Sequence, residues 1–298
     1  MKYIDLHLHS TCSDGTMTPE ELVEEARRLG ISAISITDHD TIEGTAEAME
    51  AGKKNGIEVV SGVEISAYLD ETPLHILGYG FHHCSTALLK NLKKVQQARE
   101  ERNEEILANL NGLGIMVNRE ELKKYSATGQ TGRPHIATLL MERKIVKTMD
   151  EAFARYLRRG APAYAERARL QAADAIDMIS AAGGIAVVAH PFTIDRTMPV
   201  LADVLKRLHK LGIKGAEAFY PIYSVADRRK LCDLCNEIGL LITGGSDFHG
   251  SIRNGTRLGG NNKKQRVPYE LFEKMQKRLH DITVLDQKPM PDIVLQRP

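Results

Sequence analysis

The feature that most constrains this chain is a set of seven short apolar runs, "YIDLHL", "SAISITD", "EVVSGVEI", "LHILGYG", "GIAVVAH", "KGAEAFY" and "LLITGGSD", several of them separated by amphipathic helical text. Each run has the length and aliphatic content of a buried strand. Strands alternating with helices form βα units, whose strands pair in parallel and bury both faces. The first intervening helix is bounded by local chemistry. Thr18 with Glu21 reads as a capping box, Pro19 takes the first helical position and Gly30 closes the helix. A second helical stretch, "TIEGTAEAMEAGKKNG", runs to Gly56. The expected fold class is α/β.

The alternation breaks once. From residue 85 to residue 174 the strand-like runs are replaced by helical text that opens with "TALLKNLKKVQQARE" and "ERNEEILANLNGLG". A helical insertion over 85–174 is therefore expected within a βα unit formed by 1–84 and 175–298. At 298 residues and 42% apolar the chain has enough material for a sizeable core. Basic and acidic residues balance at 40 to 39, so no overall field gathers nucleic acid or anionic lipid without a local site. No apolar run approaches the ~20 residues of a membrane span, and Met1 leads directly into a strand; the expected location is cytoplasmic. Cys232 and Cys235 form a C-x-x-C on a helical pattern without a second pair, which reads as core packing.

Histidines and carboxylates sit at the ends of the runs. His7 and His9 are two apart on the first strand, so both rings leave the same face about 6–7 Å apart, near enough to share a metal. Taken alone, that pair also fits two hydrogen-bonded core histidines. Asp14 follows them, His39 ends the second run, Glu64 the third, His190 the fifth, and Asp247 and His249 the last; His75 lies near the start of the fourth. In a closed or nearly closed parallel barrel the carboxyl ends of the strands share one mouth, which brings these residues together. Mostly imidazole with three carboxylates suits Zn, Mn or Fe(II), and there are too many donors for one tetrahedral ion. Two or three divalent cations are expected, with Glu64 as the bridge because its two oxygens can hold two cations.

The stretches "DLHLHSTCSDG", "ITDHD", "GVEIS", "AHP" and "GSDFHG" resemble, in order, the motifs of the PHP (polymerase and histidinol phosphatase) family of metal-dependent phosphoesterases. The resemblance covers roughly residues 1–80 and 180–255. It implies a distorted (β/α)7 barrel with a multinuclear centre, Mn2+ first among the metals and Zn2+ or Fe2+ as alternatives. Carried over position by position, it gives His7, His9, Glu64 and Asp247 to one metal, Glu64, His75 and His190 to a second, and Asp14, His39 and His249 to a third. Within the insertion, "TGRPH" sets Arg133 before Pro134 at a helix start, where free N–H groups and a basic side chain suit an anion, although a solvent-facing arginine fits the local sequence equally. In the nucleotide-phosphatase subgroup with a helical insertion, the matching Arg and His contact substrate phosphate, which implies that role for Arg133 and for His135, the latter donating when protonated.

The chemistry implied is attack by a metal-activated water on a small phosphorylated substrate, with no serine or cysteine nucleophile. The expected substrate is a nucleotide 5′-phosphate, in a nucleoside 3′,5′-bisphosphate or a mononucleotide such as AMP. A 5′-3′ exonuclease on short RNA or DNA, histidinol phosphatase activity and a non-catalytic metal-binding barrel are the alternatives. The near-zero net charge argues against a long nucleic-acid track. His82 and His83 read as a loop pair, His209 and His280 as solvated helix residues, and Lys263, Lys264 and Arg266 as either a second phosphate contact or a loop coat.

Overall fold

A computed structural model describes residues 2–125, 131–252, 255–262, 265–283 and 289–297. The chain opens with β1 (Tyr3–Leu8), α1 (Pro19–Leu29), β2 (Ala33–Ile36), α2 (Thr45–Asn55), β3 (Glu58–Val59), β4 (Gly62–Leu69) and β5 (Thr72–Tyr79). The capping box at Thr18 and the left-handed Gly30 that closes α1 both form, so that helix is set by its own ends as well as by packing. The helical region follows with α3 (Thr86–Gly112), α4 (Arg119–Lys123), α5 (Arg133–Glu142) and α6 (Met149–Ala152), the last continuing into a π-helical turn at Phe153–Leu157. The chain then returns to α7 (Ala172–Ala181), β6 (Ile185–Val188), α8 (Met198–Leu211), β7 (Gly215–Phe219), α9 (Val225–Ile238), β8 (Leu241–Gly244), β9 (Val267–Pro268) and α10 (Tyr269–Thr283).

The strands make two sheets, β3-β2-β1-β9 and β4-β5-β6-β7-β8, and among the described residues the ladders do not close into one ring. Two single parallel bridges, Leu8 to Phe248 and His39 to Glu64, join the sheets where the ligand-type residues sit. One core cluster takes Ile4, Leu6 and Ala33 from the first sheet and Leu77, Tyr79, Ile185 and Val187 from the second. The Tyr79 hydroxyl donates to the Leu6 carbonyl across that core at 2.8 Å.

Two expectations about the strands change. "EVVSGVEI" is not one strand: β3 pairs with β2, while β4 begins at Gly62 and pairs with β5. The division falls where Gly62 passes Ser35 and Ile36 so closely that a Cβ would lie 2.1 Å from Ser35 Oγ. The sheet is also not wholly parallel. β4 and β5 form a hairpin through a two-residue turn at Asp70 and Glu71, with Asp70 at φ +53°, and β5 pairs antiparallel with β6 as well. That reversal explains His75. On an antiparallel strand the amino-terminal half lies beside the carboxyl half of its neighbour, and the register places His75 opposite Ser66, two residues beyond Glu64.

The two helical segments expected after residue 85 fuse into the single helix α3. Its first half sends Leu88, Leu92 and Val95 into the main core. Its second half sends Ile106, Leu107 and Leu110 into a separate apolar cluster with Ile136, Leu139 and Leu140 of α5 and with Leu157 and Ala163. α3 thus ties the helical region to the sheets. Among the described residues, no helix is long and apolar enough to cross a membrane.

Candidate functional site

The strand ends converge as their side-chain alternation requires. Asp5, His7 and His9 leave one face of β1 and its extension, and all three are buried. At the centre stands Glu64, 1% exposed, with five imidazoles around its two oxygens. Oε2 lies 3.3 Å from His7 Nε2, 3.2 Å from His9 Nε2 and 3.1 Å from His39 Nδ1. Oε1 lies 2.8 Å from His75 Nδ1 and 3.0 Å from His190 Nε2. Asp247 Oδ1 approaches His7 and His9 at 3.5 and 3.3 Å. On the other side, Asp14 Oδ1 lies 3.5 Å from His9 Nδ1 and 3.3 Å from His249 Nε2, and Asp14 Oδ2 lies 3.8 Å from His39 Nε2. All nine residues singled out in the sequence meet in this cluster.

Three groups have ligand atoms close enough to hold a cation: His7, His9, Glu64 and Asp247; His9, Asp14, His39 and His249; and His39, Glu64 and His75, where His39 stands in place of the expected His190, which joins none of the three although its Nε2 lies 3.0 Å from Glu64 Oε1. The hydrogen bonding fits a metal. His7 Nε2, His9 Nε2, His39 Nδ1 and Glu64 Oε2 are buried near one another without a hydrogen-bond partner, although the three nitrogens lie within ion-pair distance of that oxygen. Buried polar atoms left in this state are costly, and a cation among them removes the cost. The electrostatics agree. Burial alone would raise the Glu64 carboxyl, but His39, His75 and His7 hold it well below its ordinary range. Burial alone would lower His9, but Asp247, Glu64 and Asp14 push it up to about 10. His39, depressed first by burial and further by His9 and His75 against the pull of Glu64 and Asp14, falls to about 3. Without a cation, protons on imidazoles balance the carboxylates; metal binding displaces them.

Several residues that support the cluster carry no sequence signal of their own. Asp38 accepts from Ser10 N at 2.8 Å, Ser10 Oγ at 2.6 Å and Ser13 Oγ at 2.5 Å, pinning the loop between His9 and Asp14. Tyr220 donates to Asp247 Oδ2 at 2.7 Å. Glu217, a lone acid in the apolar run of β7, lies against His7 and His190.

Beside the cluster opens a cleft of about 210 Å³. Asp14, His39 and His75 form its inner end, Tyr68, Phe153 and Tyr164 part of its walls, and Arg99, Arg102, Arg133 and Arg167 its charge. Asp40, fully buried, accepts from Arg99, from Arg167 Nη1 at 3.2 Å and from Ser66 N at 2.8 Å. Those two arginines keep the Asp40 carboxyl well below its ordinary value, although burial alone would raise it. Arg102 is 7% exposed, donates to Asn103 Oδ1 at 2.9 Å and leaves its Nε unpaired. Burial first, then Arg99 and Arg167, hold its pKa well below the usual guanidinium value. Arg133 donates to the Leu157 carbonyl at 3.3 Å and lies 5.8 and 5.9 Å from the Phe153 and Tyr164 rings. Among the described residues neither Arg102 nor Arg133 has an ion-pair partner.

His135 is buried in a small recess that Asp14, His39 and Arg99 also line. Its Nδ1 accepts from Gly132 N at 2.9 Å, so the ring proton belongs on Nε2. His135 is thus a donor in its neutral form, which replaces the expectation that it must first be protonated. Arg266 stacks over Tyr3 at 4.1 Å, while Lys263 and Lys264 lie outside the described residues. His82 and His83 sit on the loop after β5, and His209 bonds the Ile213 carbonyl at 3.2 Å at the carboxyl end of α8.

With that geometry in view, comparison with known proteins is specific. A family profile described as the PHP domain matches residues 5–166. A 3′,5′-nucleoside bisphosphate phosphatase of Chromobacterium violaceum is 32% identical over 260 residues, covering 87% of this chain and 91% of the relative. A 5′-3′ exoribonuclease of Haemophilus influenzae is 37% identical over 251 residues, covering 83% and 90%. Among solved structures, an amidohydrolase from Chromobacterium violaceum with bound sulfate and no metal superposes with a TM-score of 0.82 at 30% identity over 93% of this chain and 96% of the other.

Proposed function

Since the chain belongs to the PHP domain family and is a metal-dependent phosphoric ester hydrolase, we propose that its substrate is a nucleoside 3′,5′-bisphosphate, from which it removes the 5′-phosphate. The observation that carries this reading is the imbalance in the cleft: four arginines, of which Arg102 and Arg133 lack an acidic partner among the described residues, lie next to the cation cluster. An unpaired guanidinium this deeply buried is costly until an anion joins it. A substrate with two phosphoryl groups places one at the cluster and the other among the arginines.

The residues that would hold divalent cations, Mn2+ first, are the nine around Glu64 and Asp14. Bound there, such ions lower the pKa of a water and neutralise charge on the phosphoryl and leaving oxygens. The chain's own side chains do the rest. His135 offers a fixed Nε2–H donor beside Asp14 and His39. Arg133, braced by Phe153, Tyr164 and the Leu157 carbonyl, presents its remaining N–H groups as a fork that matches a phosphate edge. Tyr68, Phe153 and Tyr164 supply ring faces for a base. In this reading residues 85–174 act as a unit that closes the cleft over the sheets.

The exonuclease alternative needs a path for a longer polyanion. The recess that continues the cleft past Arg102 and Tyr164 is bordered by Glu101, Glu105 and Glu166 against Arg102 and Arg297, a net acidic lining that disfavours one. Histidinol phosphate carries an ammonium group that the arginines would repel. A panel of adenosine 3′,5′-bisphosphate, AMP, short oligoribonucleotides and histidinol phosphate, assayed with Mn2+, tests the assignment. The bisphosphate should give the highest kcat/KM, at least about tenfold above AMP, since one charge-assisted contact is worth about 1.5–3 kcal/mol. A higher value for an oligonucleotide would overturn it.

A further inference from the structure

Glu217 is fully buried on β7, and none of the three groups that could hold a cation includes it. One of its oxygens lies 3.0 Å from His7 Nδ1; the other accepts from the backbone N–H of His190 at 2.8 Å. The far nitrogens of both rings approach Glu64, His7 Nε2 at 3.3 Å from Oε2 and His190 Nε2 at 3.0 Å from Oε1, with the two rings stacked 5.8 Å apart. His190 has φ +29°, a backbone conformation rarely populated by a residue with a side chain, so something must hold it there.

We propose that Glu217 is a positioning residue that couples the two histidines facing the separate oxygens of Glu64. This rests on the reading of the Glu64 cluster as a metal centre. A carboxylate accepting the His7 Nδ1 proton leaves the Nε2 lone pair free for a cation and strengthens it as a ligand. The same carboxylate holds the His190 backbone N–H, while Thr193 Oγ1 at 2.9 Å from Nδ1 holds the ring itself. Losing one buried acid therefore disturbs both His7, a member of the group with His9, Glu64 and Asp247, and His190, which faces the other oxygen of Glu64.

Glu217→Gln keeps the volume and separates the two arms. A carboxamide has one acceptor oxygen. Its NH2 must face either His7 Nδ1, which drives the ring proton onto Nε2 and blocks that ligand atom, or the His190 N–H, where two donors collide. Zn2+ serves as probe. Wild-type and variant proteins are titrated with Zn2+ by calorimetry, their metal-free unfolding temperatures are compared, and 15N-histidine spectra of the Zn2+-loaded wild type locate the His7 proton. The proposal expects about a 10- to 100-fold weaker Zn2+ affinity in the variant, unchanged metal-free unfolding, activity that recovers as Zn2+ is raised, and the wild-type His7 proton on Nδ1. A variant that titrates like wild type overturns it, as does one whose only change is a lower unfolding temperature. If the variant does not fold, the wild-type spectrum decides: a proton on Nδ1 upholds the proposal and a proton on Nε2 overturns it. A wild type that takes up no Zn2+ rejects the metal reading itself and this inference with it, an outcome visible before the variant is made.

Discussion

The histidine cluster and the arginine cleft adjoin one another yet are built in opposite ways. The cluster is assembled by short strands and the residues just beyond them, so its side chains are aimed by backbone alternation and held by buried acids such as Asp38 and Glu217. The cleft has one wall from β4 and β5, but its arginines come from α3, the start of α5 and the irregular stretch around Tyr164, and a single carboxylate, Asp40, pairs with two of the four. Around Glu64, the imidazoles of His7, His9 and His190 face the carboxylate at about 3 Å before any ligand arrives. In the cleft, like charges are left facing open space. One region is prepared for cations and the other for an anion, which is the division of labour a metal-dependent phosphoesterase needs.

The largest expected effect breaks the cluster alone. Glu64→Gln removes the carboxylate shared by five histidines, and because Lewis-acid stabilisation is worth several kcal/mol, kcat/KM should fall on the order of a thousandfold, with metal content falling alongside. Chelation should do the same reversibly. An active variant with full metal content would mean that the cluster is built around something other than its centre.

Asp40→Asn probes the joint between the two regions. It leaves Arg99 and Arg167 buried without their carboxylate, and breaking such a pair from one side costs about 3–5 kcal/mol of stability. The sign with pH follows from the direction of the shift. The folded pKa lies below the unfolded value of roughly 3.9, so the ionised carboxylate stabilises the fold above that pH and the contribution is lost as pH falls through the folded pKa. Urea unfolding should show the full gap between wild type and variant at pH 7 and pH 5, and a shrinking gap below about pH 4. A constant gap across this range would contradict the pairing.

Smaller effects separate grip from chemistry. Arg133→Ala should leave metal content unchanged and lower kcat/KM about 10- to 100-fold for phosphorylated substrates, the worth of one charge-assisted contact; a change within about twofold would remove Arg133 from the site. Thr18→Ala deletes an exposed helix cap that belongs to neither region. It should cost about 1 kcal/mol of stability in thermal unfolding and leave kcat/KM and metal uptake alone.

These two regions also differ in how far the sequence revealed them. β1 and α1 are bounded by local signals, a run of alternating residues in one case and a capping box with a left-handed glycine in the other, and both form where those signals lie. Ligand-type residues at strand ends were visible because parallel strands share a mouth. His75 fitted poorly because nothing local distinguishes a strand that will run antiparallel, and the Asp70 turn that reverses it shows its meaning only once β4 and β5 pair. Nothing in the local sequence sets Arg99 and Arg102 apart from the other charges of their helix; their burial comes from contacts with segments more than 25 residues away, such as the bond from Asn103 to Thr131 beside them. Glu217 was hidden for the same reason: His7 lies 210 residues earlier.

The most direct test of the account is the ratio of kcat/KM for adenosine 3′,5′-bisphosphate to that for AMP, measured with Mn2+ in the wild type and in Arg102→Met. Arg102 touches the cleft and none of the cation groups, so the account predicts a wild-type ratio of at least about ten that drops toward one in the variant, with equal metal content in both proteins. A wild-type ratio near one, or a high ratio that survives the loss of the guanidinium, would contradict the claim that this cleft reads a second phosphate.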